Sequence, residues 1–256
     1  MLSHNITCII QARTQSSRLP NKILLDGFKK SLIEHQIERI KFSKFIKKII
    51  IATTTNKKDD ILYNRLKKNV PIFRGSENDV LKRFYECAKK NNCHNIIRIT
   101  ADCPLIDHQF IDKVINYYLN NSCDYVSNVN TNYLPDGFHC EIFNFNSLKK
   151  AHKLAISKFD REHVTPFIWS NPDIFSIKNF SEKKKYGSSK IRLTLDYVED
   201  YILIKTIFDN LYKKNKKFNL NTILHFLKKN SYLTNINQRY HNLQNIKFHW
   251  RRKFYS

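Results

Sequence analysis

The stretch ITCIIQARTQSSRLPNK, residues 6–22, decides the fold class of this chain. Its first five residues, 6–10, form a short, continuously apolar run of the kind that is buried in a parallel sheet. Similar strand-like runs follow at 48–52, 70–73 and 95–100, each separated from the next by an amphipathic segment. Strands that alternate with helices predict right-handed crossovers and a mainly parallel sheet covered by helices on both faces. The sequence therefore predicts an α/β protein with three layers.

Helices are predicted between these strands and after them. Ser31 and Glu34 have the spacing of a capping box, which indicates a helix start. Further helices are expected in four segments: 57–68, 77–91, 107–120 and from about 198 onward. After residue 124 the pattern is less regular, and strands are expected in three segments: 125–128, 140–145 and 191–195. One domain is expected over residues 1–234, followed by a basic tail over residues 235–256.

The composition favours an anionic partner. The 256 residues include 45 Lys and Arg against 22 Asp and Glu, a formal net charge of +23. A nucleic-acid surface and a merely basic exterior both fit this excess. Because the lysines are scattered along the chain, an anionic small molecule is the favoured partner and a dedicated nucleic-acid surface is disfavoured. No apolar run reaches the roughly 18 residues that cross a bilayer, so we expect a cytoplasmic protein without a membrane partner.

Glycine and cysteine positions exclude several kinds of site. Glycine occurs only at 27, 75, 137 and 187, so neither a G-x-G-x-x-G fingerprint nor a G-x-x-x-x-G-K-[ST] loop exists. The six cysteines contain no C-x-x-C pair and no plausible zinc ligand set. We expect them to be reduced and mostly buried thiols. A nucleotide site in this chain must therefore hold phosphates without a glycine-rich turn.

Polar clusters follow three of the predicted strands, at the sheet edge where open parallel sheets bind ligands. The loop 11–22 carries two arginines, a lysine and several hydroxyls, which together can neutralise a polyphosphate. Asp102 and Asp196 each end a predicted strand and could hold Mg²⁺ between them. Asp196 could equally be a helix N-cap, and that alternative stays open at this point. Asp107 is interpreted as a helix cap, and Asp200 as a first-turn residue stabilised by the helix dipole.

An ordered set of motifs resembles the cytidylyltransferases that make CMP-activated acidic sugars, the CMP-sialate and CMP-Kdo synthetases. Residues 11–22 resemble their N-terminal signature, 100–107 their metal-binding aspartate motif, and 193–200 their late D-x-x-E-D segment. The branch named for spore coat polysaccharide biosynthesis protein F is the most similar. It also shows segments like 73–81, 134–141 and 161–165. The resemblance implies a Rossmann-like nucleotide-diphospho-sugar transferase fold with a mostly parallel central sheet.

The resemblance also implies roles for individual residues. The expected triphosphate ligands are Arg13, Ser17, Arg18 and Lys22. Asp102 and Asp196 are the expected Mg²⁺ ligands, and with Arg13 and Lys22 they form the expected catalytic set. The residues expected around cytosine and ribose are Gln11, Ala12, Arg74, Gly75 and Ser76. The residues expected near the acceptor are Asp136, Glu141, Arg161 and His163, although a plain turn with a strand and an exposed helix start explain these segments equally well.

The favoured function is Mg²⁺-dependent transfer of CMP from CTP to an acidic sugar or related acceptor, with release of pyrophosphate. The expected process is the biosynthesis of surface polysaccharide or glycoconjugate. One alternative is a glycosyltransferase of the same fold that uses a nucleotide sugar, and a second is a nucleic-acid-binding protein. The sequence does not identify the acceptor, and it leaves open whether the chain forms a homodimer, as relatives of this fold often do.

Overall fold

The structure is a computed structural model that describes residues 5–128, 134–182 and 190–241. The strands are β1 (Ile6–Gln11), β2 (Ile46–Thr54), β3 (Ile72–Gly75), β4 (Asn95–Thr100), β5 (Tyr125–Ser127), β6 (Glu141–Asn144) and β7 (Ile177–Asn179). The helices are α1 (Leu32–Lys41), α2 (Asp60–Leu66), α3 (Val80–Lys90), α4 (His108–Leu119), α5 (Phe145–Leu154), α6 (Lys158–His163), α7 (Pro166–Trp169), α8 (Val198–Leu211) and α9 (Leu220–Lys229). Short 3₁₀ turns at 22–24, 57–59, 231–235 and 238–240 complete the described elements.

The strands of the described residues form one sheet in the order β3-β2-β1-β4-β6-β5-β7. β1 pairs in parallel with β2 and β4, and β2 pairs in parallel with β3. β6 runs antiparallel to both β4 and β5, and β5 is parallel to β7. The predicted mostly parallel α/β sheet is therefore confirmed.

β1 is buried on both faces because its side chains feed two separate cores. Cys8 and Ile10 point into one core, formed with apolar side chains of α1, α4, α8 and α9. Ile9 points to the opposite side and packs with side chains of α3, α5 and α7. A strand covered on both faces needs a continuous apolar run, which is what residues 6–10 supply. This arrangement is the predicted three-layer architecture.

Local sequence signals place several element boundaries correctly. Ser31 caps α1, and its backbone N–H donates to Glu34 Oε2 at 2.9 Å, which completes the predicted capping box. β4 has the predicted bounds, 95–100. The helices predicted over 77–91 and 107–120 begin and end within three residues of α3 and α4.

Residues 191–195 do not form the predicted core strand. Leu193 and Leu195 are buried as expected, but their backbone N–H groups donate to Asp136 O and Asp102 O, both at 2.8 Å. The segment makes only an isolated bridge, between Asp136 and Arg192. Residues 192–195 are all buried, as a core strand would be, but burial does not show whether the backbone partners are strands or loops.

The segment after α9 packs on the body of the protein. Leu233 is buried, and the Asn237 side chain is 2% exposed. The boundary predicted at residue 234 falls within this packed segment, and residues 242–256 of the predicted tail lie outside the described residues. Among the helices of the described residues, none is both long and apolar enough to span a membrane.

Candidate active site

A cavity of about 930 Å³ opens at the carboxyl ends of β1 and β4. The loop after β1, the turn after β4, the segment that leads into α3, helix α6 and Asp196 surround it. Its lining residues are Gln11, Arg13, Gln15, Ser16, Ser17, Arg18, Lys22, Ile23, Glu77, Asn78, Val80, Arg83, Thr100, Ala101, Asp102, Lys158, Glu162, His163 and Asp196. The cavity lies at the sheet edge that strand polarity predicts for a ligand site.

The loop after β1 is held in shape by a buried aspartate instead of by glycine. The Thr14 N–H and hydroxyl both donate to Asp59 Oδ1 at 2.7 Å, and the Thr54 hydroxyl donates to the other Asp59 oxygen. Burial raises the pKa of the Asp59 carboxyl, but the hydrogen bonds from Thr54 and Thr14 outweigh it and keep this pKa below its usual value. Asn21, with φ at 55°, closes the loop by donating its N–H to Thr14 O at 3.0 Å.

Three cationic side chains surround Asp196. Arg18 Nη2 lies 2.5 Å and Lys22 Nζ 3.0 Å from Asp196 Oδ1, and Arg192 Nη2 donates to Oδ2 at 3.0 Å. Burial raises the pKa of Asp196, but attraction to Lys22, Arg18 and Arg192 lowers it below the usual value. Asp196 is therefore an ionised carboxylate, and two of its cationic partners line the cavity.

Asp102 lies beside Asp196, on the other side of Lys22. Its Oδ1 accepts from the Thr100 hydroxyl at 2.5 Å, and its Oδ2 lies 3.9 Å from Lys22 Nζ. The side chain is 33% exposed, so it is the more accessible of the two carboxylates. The Asp102 carbonyl accepts from Leu195 N, which ties the turn after β4 to the segment carrying Asp196. The structure thus brings together the two predicted metal ligands and two of the predicted triphosphate ligands.

Mg²⁺ suits this donor set when the substrate supplies the remaining ligands. Mg²⁺ is usually bound by one or two carboxylates together with water and substrate phosphates. Among the described residues, the one charged partner of Asp102 Oδ2 is Lys22 Nζ at 3.9 Å, and Asp196 Oδ1 would become available if Arg18 and Lys22 turned to a phosphate. No cluster of three or more potential metal-ligating side chains occurs among residues 5–128, 134–182 and 190–241. The residues therefore fit a metal that binds together with a triphosphate.

Arg192 organises the acidic side chains behind the cavity, and the sequence analysis did not find it. It donates to Asp200 through Nε at 2.8 Å and Nη2 at 2.9 Å, and its Nη1 lies 3.5 Å from Asp136 Oδ2. Burial lowers the pKa of the guanidinium, but hydrogen bonding and attraction to Asp200, Asp136 and Asp196 raise it above its ordinary value. Asp196 and Asp200 lie four and eight residues after it, whereas Asp136 lies 56 residues before it.

Asp200 and Asn237 complete this buried cluster. Asp200 Oδ2 accepts from the backbone N–H groups of Asp196 and Tyr197, so the carboxylate caps α8 and also pairs with Arg192. Asn237 Nδ2 donates to Asp200 Oδ1 at 2.8 Å and to the Arg192 carbonyl at 3.0 Å. The packed segment after α9 therefore holds the backbone that presents Asp196.

The residues predicted around cytosine and ribose fall into two groups. Gln11 lines the cavity, whereas Ala12, Arg74, Gly75 and Ser76 do not line it. Arg74 pairs with Asp60 and donates to two backbone carbonyls, those of Thr54 and Asn56. The Ser76 carbonyl accepts from Arg83 Nη1 at 2.7 Å. A Cβ on Gly75, at the end of β3, would lie 2.8 Å from the Phe73 ring, so a larger residue there would have to displace that ring.

Of the residues predicted near the acceptor, only His163 lines the cavity, where its helix α6 also contributes Lys158 and Glu162. Arg161, on the same helix, instead pairs with Asp79 and donates to the carbonyls of His152 and Ala155. The remaining two belong to buried charge clusters: Asp136 lies beside Arg192, and Glu141 pairs with Arg98 and is 4% exposed. Glu162 and Lys158 were not predicted as site residues.

Comparison with known proteins identifies the group to which this architecture corresponds. Residues 7–242 match the family model described as Cytidylyltransferase. The chain is 32% identical over 211 residues to spore coat polysaccharide biosynthesis protein SpsF of Bacillus subtilis (strain 168), covering 80% of this chain and 87% of that protein. It is 29% identical over 196 residues to 3-deoxy-manno-octulosonate cytidylyltransferase of Francisella tularensis subsp. novicida (strain U112), covering 73% of this chain and 70% of that protein.

A solved structure is similar over nearly the whole fold. A cytidylyltransferase from Leptospira borgpetersenii serovar Hardjo-bovis (strain JB197) superposes with a TM-score of 0.83 at 32% sequence identity. The superposition covers 90% of this chain and 96% of that chain. The nucleotide-sugar transferase fold expected from the motifs is therefore confirmed.

Proposed function

This chain belongs to the cytidylyltransferase family, and we propose that it transfers CMP from CTP to an acidic sugar or a related acidic acceptor, with release of pyrophosphate. Membership of the family makes it a CTP-dependent nucleotidyltransferase and favours this reaction over the glycosyltransferase and nucleic-acid-binding alternatives. The acceptor class, the requirement for Mg²⁺ and the biological process are the parts that we propose.

The observation that carries the proposal is the pairing of cavity-lining cations with Asp196. Arg18 and Lys22 both contact the same oxygen, Asp196 Oδ1. Arg13 also lines the cavity, is exposed, and makes no hydrogen bond or ion pair within the described part of the chain. A triphosphate competes with Asp196 for Arg18 and Lys22 and adds Arg13 as a third contact. These side chains then neutralise the charge that accumulates on the departing pyrophosphate.

Asp102 and Asp196 are the residues that would hold Mg²⁺. Bound Mg²⁺ would polarise phosphoryl oxygens and orient the acceptor and the leaving group. If Arg18 and Lys22 turned to the phosphates, Asp196 would lose two cationic partners and its carboxylate would be free to hold a divalent cation. Arg192 keeps its place on Asp196 Oδ2, so the carboxylate stays oriented throughout.

The wall formed by α6 favours an acidic acceptor. Lys158 and His163 line the cavity on this side, and Lys158 forms no ion pair with any described residue. A carboxylate on the acceptor would pair with such a lysine, and its sugar hydroxyls would find acceptor oxygens on Glu162. A relative is named as a 3-deoxy-manno-octulosonate cytidylyltransferase, and another as a spore coat polysaccharide biosynthesis protein. The first name supports an acidic sugar as acceptor, and the second supports a role in surface polysaccharide or glycoconjugate synthesis.

Pyrophosphate release from each of the four nucleoside triphosphates, with Mg²⁺ and a panel of 2-keto-3-deoxy sugar acids, tests this function. We expect release with CTP and at least one acid, and none after Mg²⁺ is chelated. CTP should also bind much more tightly than CMP, because Arg13, Arg18 and Lys22 contact the β- and γ-phosphates. Absence of both CTP binding and pyrophosphate release would overturn the proposal.

A further inference from the structure

We propose that Arg98 and Glu141 are positioning residues that fix the side-chain amide of Gln11, so that Gln11 presents only hydrogen-bond donors to the cavity and selects cytosine over uracil. This inference rests on the proposed function, because it requires the base of a nucleoside triphosphate to lie in the cavity. Neither Arg98 nor Glu141 lines the cavity, and both act through Gln11, which does.

The Glu141 carboxylate is held in place by hydrogen bonds to both of its oxygens. Its Oε1 accepts from the Tyr125 hydroxyl at 2.6 Å and from the Thr165 hydroxyl at 2.7 Å. Its Oε2 accepts from Arg98 Nη1. With both oxygens bonded and only 4% of the residue exposed, the carboxylate has one orientation, because any rotation would leave a buried charge without a partner.

Arg98 transmits this orientation to Gln11. Its Nη2 donates to Gln11 Oε1 at 2.9 Å, while Nη1 is held by Glu141. A guanidinium has five N–H donors and no acceptor, so the amide atom that faces it must be the oxygen. The Gln11 Nε2 hydrogens therefore point away from Arg98, and Nε2 makes no hydrogen bond to a residue that the structure describes. The wall of the cavity at this point is a donor-only surface.

Gln11 lies next to the residues that we assign to the phosphates of a bound nucleotide. It ends β1, and two residues later the chain presents Arg13, the first of the cations that we assign to the triphosphate. On its other side Gln11 pairs with Thr100, two residues before Asp102. A nucleotide whose phosphates contact Arg13 and the region of Asp102 therefore has its nucleoside within reach of the Gln11 side chain.

Cytosine and uracil differ in the hydrogen-bond acceptors that they offer to a donor-only surface. Cytosine presents O2 and N3 as acceptors, whereas uracil presents O2 as an acceptor and N3–H as a donor. Against the Gln11 amide, cytosine N3 forms a hydrogen bond, and uracil N3–H leaves two donors facing each other. A mismatch of this kind discriminates between bases by about 10- to 100-fold in affinity. Fixing the amide matters, because a freely rotating glutamine would turn its oxygen towards uracil.

Calorimetric titration with CTP and with UTP, in Mg²⁺, tests this inference on the full chain. The ratio of the two dissociation constants is the readout, because a change in phosphate binding affects both nucleotides equally. We expect the wild type to prefer CTP by about 10- to 100-fold. Gln11→Glu keeps the shape and the contact with Arg98 but replaces the donors by a carboxylate, so the preference should fall to near unity or reverse. The charge it adds weakens both nucleotides and cancels in the ratio.

Arg98→Lys tests the positioning role while keeping a positive charge beside Glu141. Lysine lacks the fork that holds Glu141 and Gln11 together, so the preference for CTP should fall at least about threefold. In a Gln11→Glu background the same change should have no further effect on the ratio. Arg39→Lys is the matched control: Arg39 is a buried arginine that donates to the carbonyls of Ile106 and Leu105 and does not line the cavity. It should lower stability without moving the ratio.

Each outcome decides a different point. An unchanged ratio in Gln11→Glu, or additive effects in the double variant, would overturn the inference. Equal affinity of the wild type for CTP and UTP would overturn it as well, while leaving nucleotidyl transfer intact. A wild-type protein that binds neither nucleotide would overturn the proposed function itself.

Discussion

Replacing Asp196 by asparagine removes a carboxylate that we assign both to Mg²⁺ and to the buried charge cluster. As a metal ligand, the neutral amide binds a divalent cation far more weakly than a carboxylate does. We expect the rate of pyrophosphate release to fall on the order of a thousandfold, which corresponds to about 4 kcal/mol of transition-state stabilisation. The apparent requirement for Mg²⁺ should shift to higher concentration.

The same substitution should also lower the free energy of unfolding. Asp196 accepts from Arg18 and Lys22 on one oxygen and from Arg192 on the other. An amide has a single acceptor oxygen, so its NH₂ group must face one of these donors. Losing one charge-assisted hydrogen bond at a site with 9% side-chain exposure costs about 1.5–3 kcal/mol. Arg18, whose side chain is 36% exposed, contributes the least of the three.

Asp102→Asn is the matched comparison, because it removes the other assigned metal ligand from a more exposed position. Asp102 accepts from Thr100, which an asparagine oxygen can also do, and Lys22 lies 3.9 Å from it. We expect a comparable loss of rate and a loss of stability below about 1 kcal/mol. Urea denaturation at pH 7 and pyrophosphate release at several Mg²⁺ concentrations measure the two quantities separately.

The pH dependence gives the sign of the electrostatic contribution. The pKa of Asp196 is lowered in the folded protein, so its ion pairs contribute stability above the unfolded pKa of about 3.9. That contribution is lost as the pH falls from there through the folded pKa. The stability difference between wild type and Asp196→Asn should therefore be constant near neutral pH and disappear in acid. Wild-type rates in both asparagine variants would refute the metal assignment, and an unchanged stability of Asp196→Asn would refute the account of the charge cluster.

Three further predictions follow from other parts of the structure. Mg²⁺ and CTP should each tighten the binding of the other at least about tenfold, because CTP must draw Arg18 and Lys22 from Asp196. Calorimetric titrations in which each ligand binds with the same affinity whether or not the other is present would contradict this. Gly137→Ala should cost at least about 2 kcal/mol in urea denaturation, since φ is +104° and a Cβ would lie 2.5 Å from Leu193 O, and a neutral effect would argue against this backbone. Burial lowers the pKa of His35 from its ordinary 6.5 to about 4, so as the pH falls the unfolded chain takes up this proton before the folded protein does. The free energy of unfolding should therefore fall by about 3 kcal/mol between pH 7 and 4. The His35→Leu variant should lose less stability over the same range.

The central strands and their loops could be predicted because their signals are local. The run 6–10 is apolar on both faces, and strand polarity alone places Arg13, Asp102 and their neighbours at one edge of the sheet. The segment 191–195 shows the limit of such signals: it is buried as a core strand would be, but its backbone partners are loops. A buried, strand-like sequence does not identify the backbone with which it pairs.

Side chains whose partners are distant in sequence could not be assigned. Arg98 and Glu141 are 43 residues apart, and neither residue type nor spacing indicates that they pair. Glu141 therefore looked like a ligand-facing carboxylate, although it is buried. Arg161 was likewise predicted to lie near the acceptor, but it pairs with Asp79, 82 residues earlier in the chain. No local feature of the sequence shows whether a charged residue next to a motif contacts the ligand itself or supports another residue that contacts it.

The position of Asn237 has a consequence for the order in which the protein is assembled during translation. Asn237 follows Arg192 by 45 residues and Asp200 by 37, and it supplies the amide that both of them use. The sheet and its first helices can form on the ribosome well before this residue is synthesised. The cluster that orients Asp196 is complete only when residue 237 has emerged, so nascent chains that stop short of it should fold their core and still lack an ordered Asp196 carboxylate.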